Sequence, residues 1–108
     1  MERLQLEYPS DHELYLSYMS FLKNGGLFVR TIEPYELGTE IFLEITLPDS
    51  LESSTVKGCI CWLTPLGANN GTPAGIGISF IEDEDNVRHQ IEKALGRHLN
   101  SSETTLTM

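Results

Sequence analysis

The sequence predicts a mainly β fold, a small barrel of five or so short antiparallel strands closed or plugged by one C-terminal α-helix. Three observations lead there. Apolar residues recur with a period of two in several short runs, turn residues separate those runs, and the period changes to 3.6 only after Asp83. The 108 residues suit one domain. Residues 1–99 are expected to form it. Residues 100–108 are polar, short of core formers and expected to be disordered.

Leu4, Leu6 and Tyr8 alternate with Arg3, Gln5 and Glu7, the pattern of a half-buried strand, and Pro9 ends it. Ser10-Asp11-His12-Glu13 reads as a capping box: Ser10 can accept from the amide three residues on while Glu13 reaches back. The short helical turn so started would put Leu14, Tyr15 and Tyr18 on one side. The run from Leu14 to Leu22 is so apolar that it fits an irregular buried segment equally well.

Asn24-Gly25-Gly26 suits a two-residue hairpin loop, which needs positive φ at consecutive positions, and Leu27–Thr31 follows as a strand. After Pro34 and Gly38, Ile41, Leu43, Ile45 and Leu47 face one way and Phe42, Glu44 and Thr46 the other. Val56, Gly58, Ile60 and Trp62 alternate with Lys57, Cys59, Cys61 and Leu63 in the next strand, which Thr64-Pro65 ends. A loop rich in Gly and Asn runs to Pro73. Ile76, Ile78 and Phe80 then alternate with Gly77, Ser79 and Ile81, and the glycines suggest a bend or a close backbone approach.

Val87, Ile91, Ala94, Leu95, His98 and Leu99 trace one stripe of a helix. The acids from Glu82 to Asp85 crowd its start, where negative charge meets the positive end of the macrodipole; Arg97 and His98 sit in its last turn, and Asn100 can stop it.

Charge narrows the function. With 7 basic and 16 acidic side chains the net charge is −9, which argues against nucleic acid, since phosphate binding needs clustered Lys and Arg. No basic residue lies between Arg30 and Lys57, a stretch holding Glu33, Glu36, Glu40, Glu44, Asp49 and Glu52. That sector repels anionic lipid as well. No apolar run is long enough to span a bilayer and no leader is apparent at Met1, so a cytoplasmic protein without membrane insertion is expected.

Catalytic and metal chemistry find little support. Cys59-x-Cys61 could offer two metal ligands but lacks a second pair, and reduced, buried thiols are the simpler reading. A calcium loop would need a Gly that the Glu82–Asp85 run lacks. Gly75-Ile76-Gly77 begins like a dinucleotide fingerprint, yet Phe80 stands at the third glycine's place. No nucleophile elbow or triad spacing is present, so no enzyme and no cofactor are expected. The aromatic stretch Tyr15, Tyr18, Phe21 and Phe28 is different. Either all four fill the core, or some face outward and, with Met19, mark a protein-binding surface.

Gly25-Gly26-Leu27-Phe28-Val29, Leu37-Gly38-Thr39-Glu40, Leu43-Glu44-Ile45-Thr46-Leu47-Pro48, Gly58-Cys59-Ile60-Cys61-Trp62 and Gly75-Ile76-Gly77-Ile78-Ser79-Phe80 together resemble a bacterial PilZ domain across residues 3–99. The resemblance implies a six-stranded antiparallel β-barrel with a C-terminal helix, and cyclic di-GMP as the usual ligand of the family.

The family's ligand groups are an Arg-x-x-x-Arg and an Asp/Asn-x-Ser-x-x-Gly. Here Glu7 follows Arg3 by four residues, and with Gly26 as the last glycine, Phe21 and Lys23 replace the Asp/Asn and the Ser. A guanidinium pair grips phosphate bidentately, and a Glu repels it, so direct cyclic di-GMP binding is not expected. The segment Tyr18-Met19-x-Phe21-x-Lys23-x-Gly25-Gly26 resembles the family's subtype that serves type IV pilus assembly without binding the nucleotide. That likeness implies an adaptor of twitching motility, with the pilus extension motor ATPase and an EAL-domain cyclic di-GMP signalling protein as partners and Tyr18, Met19 and Phe21 as partner-binding residues. The alternative is a receptor that binds cyclic di-GMP through an atypical site using Arg3, Lys23 or Arg30.

Overall fold

A computed structural model describes residues 1–65 and 73–96. The elements run β1 (Arg3–Glu7), α1 (Asp11–Ser17), β2 (Gly26–Arg30), β3 (Glu40–Thr46), β4 (Ser53–Thr64), β5 (Gly75–Glu82) and α2 (Val87–Ala94). The strands form one curled sheet in the order β1-β3-β4-β5-β2. Its concave side holds Leu27, Ile41, Leu43, Ile45, Val56, Ile60, Ile76, Ile78 and Phe80, with Leu14 and Tyr15 of α1 and Val87 and Ile91 of α2 packed into it. Burying each such side chain contributes about 1.5–3 kcal/mol.

The mainly β class stands, with differences in detail. The described residues give five strands, and β1 and β2 at the ends of the sheet do not pair, so this part of the chain is an open half-barrel. The pairing is also not wholly antiparallel. β1 runs parallel to β3, Leu4 opposite Leu43 and Leu6 opposite Ile45, because α1 and β2 together return the chain to the starting end before β3 begins.

Local signals explain most boundaries. The Ser10 hydroxyl accepts from the Glu13 amide at 3.2 Å and starts α1, one of the two bonds that the capping box predicts. The glycine turn is not a two-residue loop. Tyr18 already bridges Leu27, so the reversal takes in Met19 to Gly26, and of the two glycines only Gly25 has positive φ, at 76°. Gly26 lies in β2, where a Cβ would run into the Ile78 carbonyl.

The helix α2 begins at Val87, later than the acidic run suggests. Asp83 alone of that run caps it, accepting from the Val87 and Arg88 amides at 2.7 and 2.9 Å. Asp85 instead takes the Thr55 amide of β4 at 3.0 Å. The helical stripe at His98 and Leu99, and the tail 100–108, lie outside the described residues.

Candidate partner-binding surface

The strand β4 contains a bulge between Ile60 and Trp62, and it moves Trp62 off the core face where simple alternation places it. Ile60 stands opposite the core residue Ile78, but Trp62 stands opposite Gly77, which also faces Phe28 of β2. Directly opposed residues share a face of the sheet. Trp62, Gly77 and Phe28 therefore meet on the convex side.

A second apolar cluster grows on that side because β5 has glycines there. A Cβ on Gly77 would lie 2.7 Å from Trp62 Cβ and 3.0 Å from Met19 Sδ and Cε, and one on Gly75 would lie 2.6 Å from Phe28 Cζ. The bare backbone makes a trench that Met19 and Phe28 fill. Phe21 closes it from outside, its ring edge-on to Trp62 at 6.3 Å and 60°. The indole Nε1 donates to Thr64 Oγ1 at 2.8 Å, which fixes the plane against which Phe21 rests.

Of the three residues expected on an exposed partner surface, Phe21 alone is exposed, at 42%; Tyr18 and Met19 are 2% and 0% exposed. Extended backbone explains the split. With Tyr18 bridged to Leu27, Tyr18 turns into the main core and Met19 into the trench. The Tyr18 hydroxyl donates to Glu92 Oε2 at 2.6 Å, and Arg88 Nε donates to the same oxygen at 3.2 Å. Burial, then the Glu92 hydrogen bond, pushes the Tyr18 pKa up; the bond from Tyr18 holds the Glu92 carboxyl below the usual carboxylate range. Trp62 is the surface residue that sequence reasoning passed over. The glycines of β5 signal a close approach there but do not name Trp62 as the residue that makes it.

The positions corresponding to the nucleotide ligands are dispersed or occupied. Arg3 is ion-paired with Glu44 and lies 5.6 Å over the Phe42 ring. Its hydrogen bond lowers the Glu44 pKa. Glu7 ends the same strand, four extended residues and so about 13 Å away. Lys23 and Arg30 are exposed and have no ion pair among the described residues. Lys57 is held by Glu40 at 3.1 Å and Glu82 at 3.7 Å.

The cysteines are free thiols but not buried ones: Cys59 is half-buried and Cys61 exposed, since their face of β4 is the convex one. Desolvation, reinforced by Cys59, raises the Cys61 pKa and keeps it a thiol. Among the described residues no His, Cys, Asp and Glu side chains group to hold a metal, and no helix is long and apolar enough to cross a membrane.

A family model described as PilZ domain matches residues 2–97. The chain belongs to the PilZ domain family. Comparison with curated proteins gave no match. Most of the segments that carry the resemblance fall on strands of this PilZ domain: Gly26–Val29 on β2, Leu43–Thr46 on β3, Gly58–Trp62 on β4 and Gly75–Phe80 on β5, while Leu37–Thr39 lie in the turn before β3. Its convex cluster of Phe21 and Trp62 over Met19 and Phe28 joins the segment before β2 to β4 and β5.

Proposed function

We propose that this PilZ domain is a non-catalytic, cytoplasmic adaptor of type IV pilus assembly and twitching motility, joining the pilus extension motor ATPase to an EAL-domain cyclic di-GMP signalling protein. The partner, and not this chain, reads the nucleotide. The observation that carries the reading is the state of the ligand positions: Arg3 is committed to Glu44, Glu7 is an acid where the family pattern has Arg, and Phe21 and Lys23 replace the polar pair. A dianion placed there meets carboxylates and loses several charge-assisted bonds, each worth about 1.5–3 kcal/mol. Pilus assembly rests on the likeness of the Tyr18–Gly26 segment to that subtype.

Phe21 with Trp62 is the surface we assign to a protein partner, and buried Tyr18 and Met19 hold it in place. Aromatic side chains anchor interfaces because they bury large area at small entropic cost. The sixth strand of the resemblance belongs to the same proposal: Tyr18, by its bridge to Leu27, pairs on the outer side of β2, and the outer edge of β1 stays open among the described residues.

The rival reading, a cyclic di-GMP receptor with an atypical site, draws on Lys23 and Arg30, exposed cations without an ion pair among the described residues. The test of the adaptor reading is titration of the full chain against the purified extension ATPase by interferometry. Saturable binding that Phe21→Ala weakens at least tenfold supports it; absence of binding, or binding indifferent to Phe21, counts against it.

A further inference from the structure

We infer that the outer edge of β1, unpaired among the described residues, accepts an extended, basic segment of a partner protein as an added strand. This goes beyond the adaptor reading and does not depend on the pilus assignment.

The direction of the backbone hydrogen bonds is the first ground. Glu2 carbonyl accepts from the Phe42 amide and the Tyr8 amide donates to the Thr46 carbonyl, each near 3 Å. In a parallel ladder this phase directs the even-numbered residues of β1 toward β3. The amides and carbonyls of Arg3, Gln5 and Glu7 therefore point away from the sheet. Among the described residues no strand pairs with that edge. An open edge of this kind is a template for strand addition, with main-chain bonds giving affinity.

The groove beside the edge is the second ground. Between β1, α1 and β2 lies a cleft of about 480 Å³. Its apolar lining includes Leu6, Tyr8, Leu16 and Val29, all half-buried. A strand on β1 would place alternate side chains over that apolar floor and the others outward, which calls for alternating apolar and polar residues in the guest.

Charge gives the third ground and names the polar class. Glu7 stands on the β1 wall and Glu13 on the α1 wall, and neither has an ion pair among the described residues. Arg30 lies on the β2 wall. The carboxylates outnumber the guanidinium in a chain of net charge −9, so lysine or arginine in the guest is favoured and acidic strands are turned away.

Random decapeptides displayed on phage and selected on the immobilised full chain provide the test. The inference expects enriched peptides that alternate apolar and basic residues. The synthesised winner should slow amide exchange at Arg3, Gln5 and Glu7. Its affinity should fall at least tenfold for the Glu7→Lys/Glu13→Lys variant, whose melting temperature controls for folding, and tenfold again when every second peptide amide is N-methylated. Four outcomes would overturn the inference: no enrichment, protection only around Phe21 and Trp62, equal binding of the methylated peptide, or a dimer in gel filtration that buries the β1 amides itself.

Discussion

The Tyr18 hydroxyl donates to Glu92 Oε2 at 2.6 Å, joining the segment before β2 to α2 across 74 positions of sequence. Tyr18 also bridges β2 through its backbone, so one residue ties the crossing segment to the sheet by its main chain and to the helix by its side chain. Tyr18→Phe keeps the ring and removes the bond. Its unfolding free energy at neutral pH should fall by about 1.5–3 kcal/mol, the ordinary worth of a hydrogen bond to a charged group, in urea denaturation.

The same pair sets an acid dependence. The fold lowers the Glu92 pKa, first through the Tyr18 bond, so the unfolded chain binds more protons than the native one as pH falls through the ordinary carboxylate value of 4.5. The stabilisation is present above that value and is lost as pH falls through the lower, folded one. Denaturation midpoints taken at about pH 7, 5, 4 and 3 should therefore converge between wild type and Tyr18→Phe at the acid end, by this linkage.

Gly77→Val should overfill the trench. Its Cβ would stand 2.7 Å from Trp62 Cβ and 3.0 Å from the end of Met19, and overpacking of this sort costs about 1–3 kcal/mol. Met19→Ala in that background should recover part of the loss although Met19→Ala alone destabilises, because the two changes share one space. Urea midpoints of the four proteins give the coupling.

Phe21 and Met19 should separate surface from support. Met19→Ala removes a fully buried side chain and should cost about 2–5 kcal/mol. Phe21→Ala, at an exposed position, should leave the melting temperature within a few degrees while weakening the proposed binding to the extension ATPase at least tenfold. Thermal melts and interferometry on both variants check the contrast.

Asp83→Ala should destabilise α2 by about 1–2 kcal/mol, since its carboxylate satisfies the Val87 and Arg88 amides that would otherwise start the helix unpaired. Circular dichroism on melting should show the loss, and Asp83→Asn should recover much of it.

The strands around Leu27, Ile45, Ile60 and Ile78 were legible because a period of two has a single physical meaning when one face is buried. Ser10 marked α1 equally plainly. Trp62 was not legible, because a one-residue bulge reverses the face of the residues beyond it and leaves no mark in composition. Tyr18 and Met19 sit in a run apolar on every side, so their burial came only with the bridge to Leu27. Glycines 75 and 77 signalled a close approach, but the side chains that approach, Phe28 and Met19, are set by strand order. The parallel partner of β1 was hidden for the same reason: alternation reveals a strand, not its neighbour.

Calorimetric titration of the pure, full chain with cyclic di-GMP tests the central claim most directly. The adaptor account predicts no saturable heat up to about 100 μM, because the charge-assisted contacts needed for micromolar affinity are missing. A saturable isotherm in the low micromolar range, weakened by Arg3→Ala or Arg30→Ala, would contradict it and make this PilZ domain a receptor in its own right.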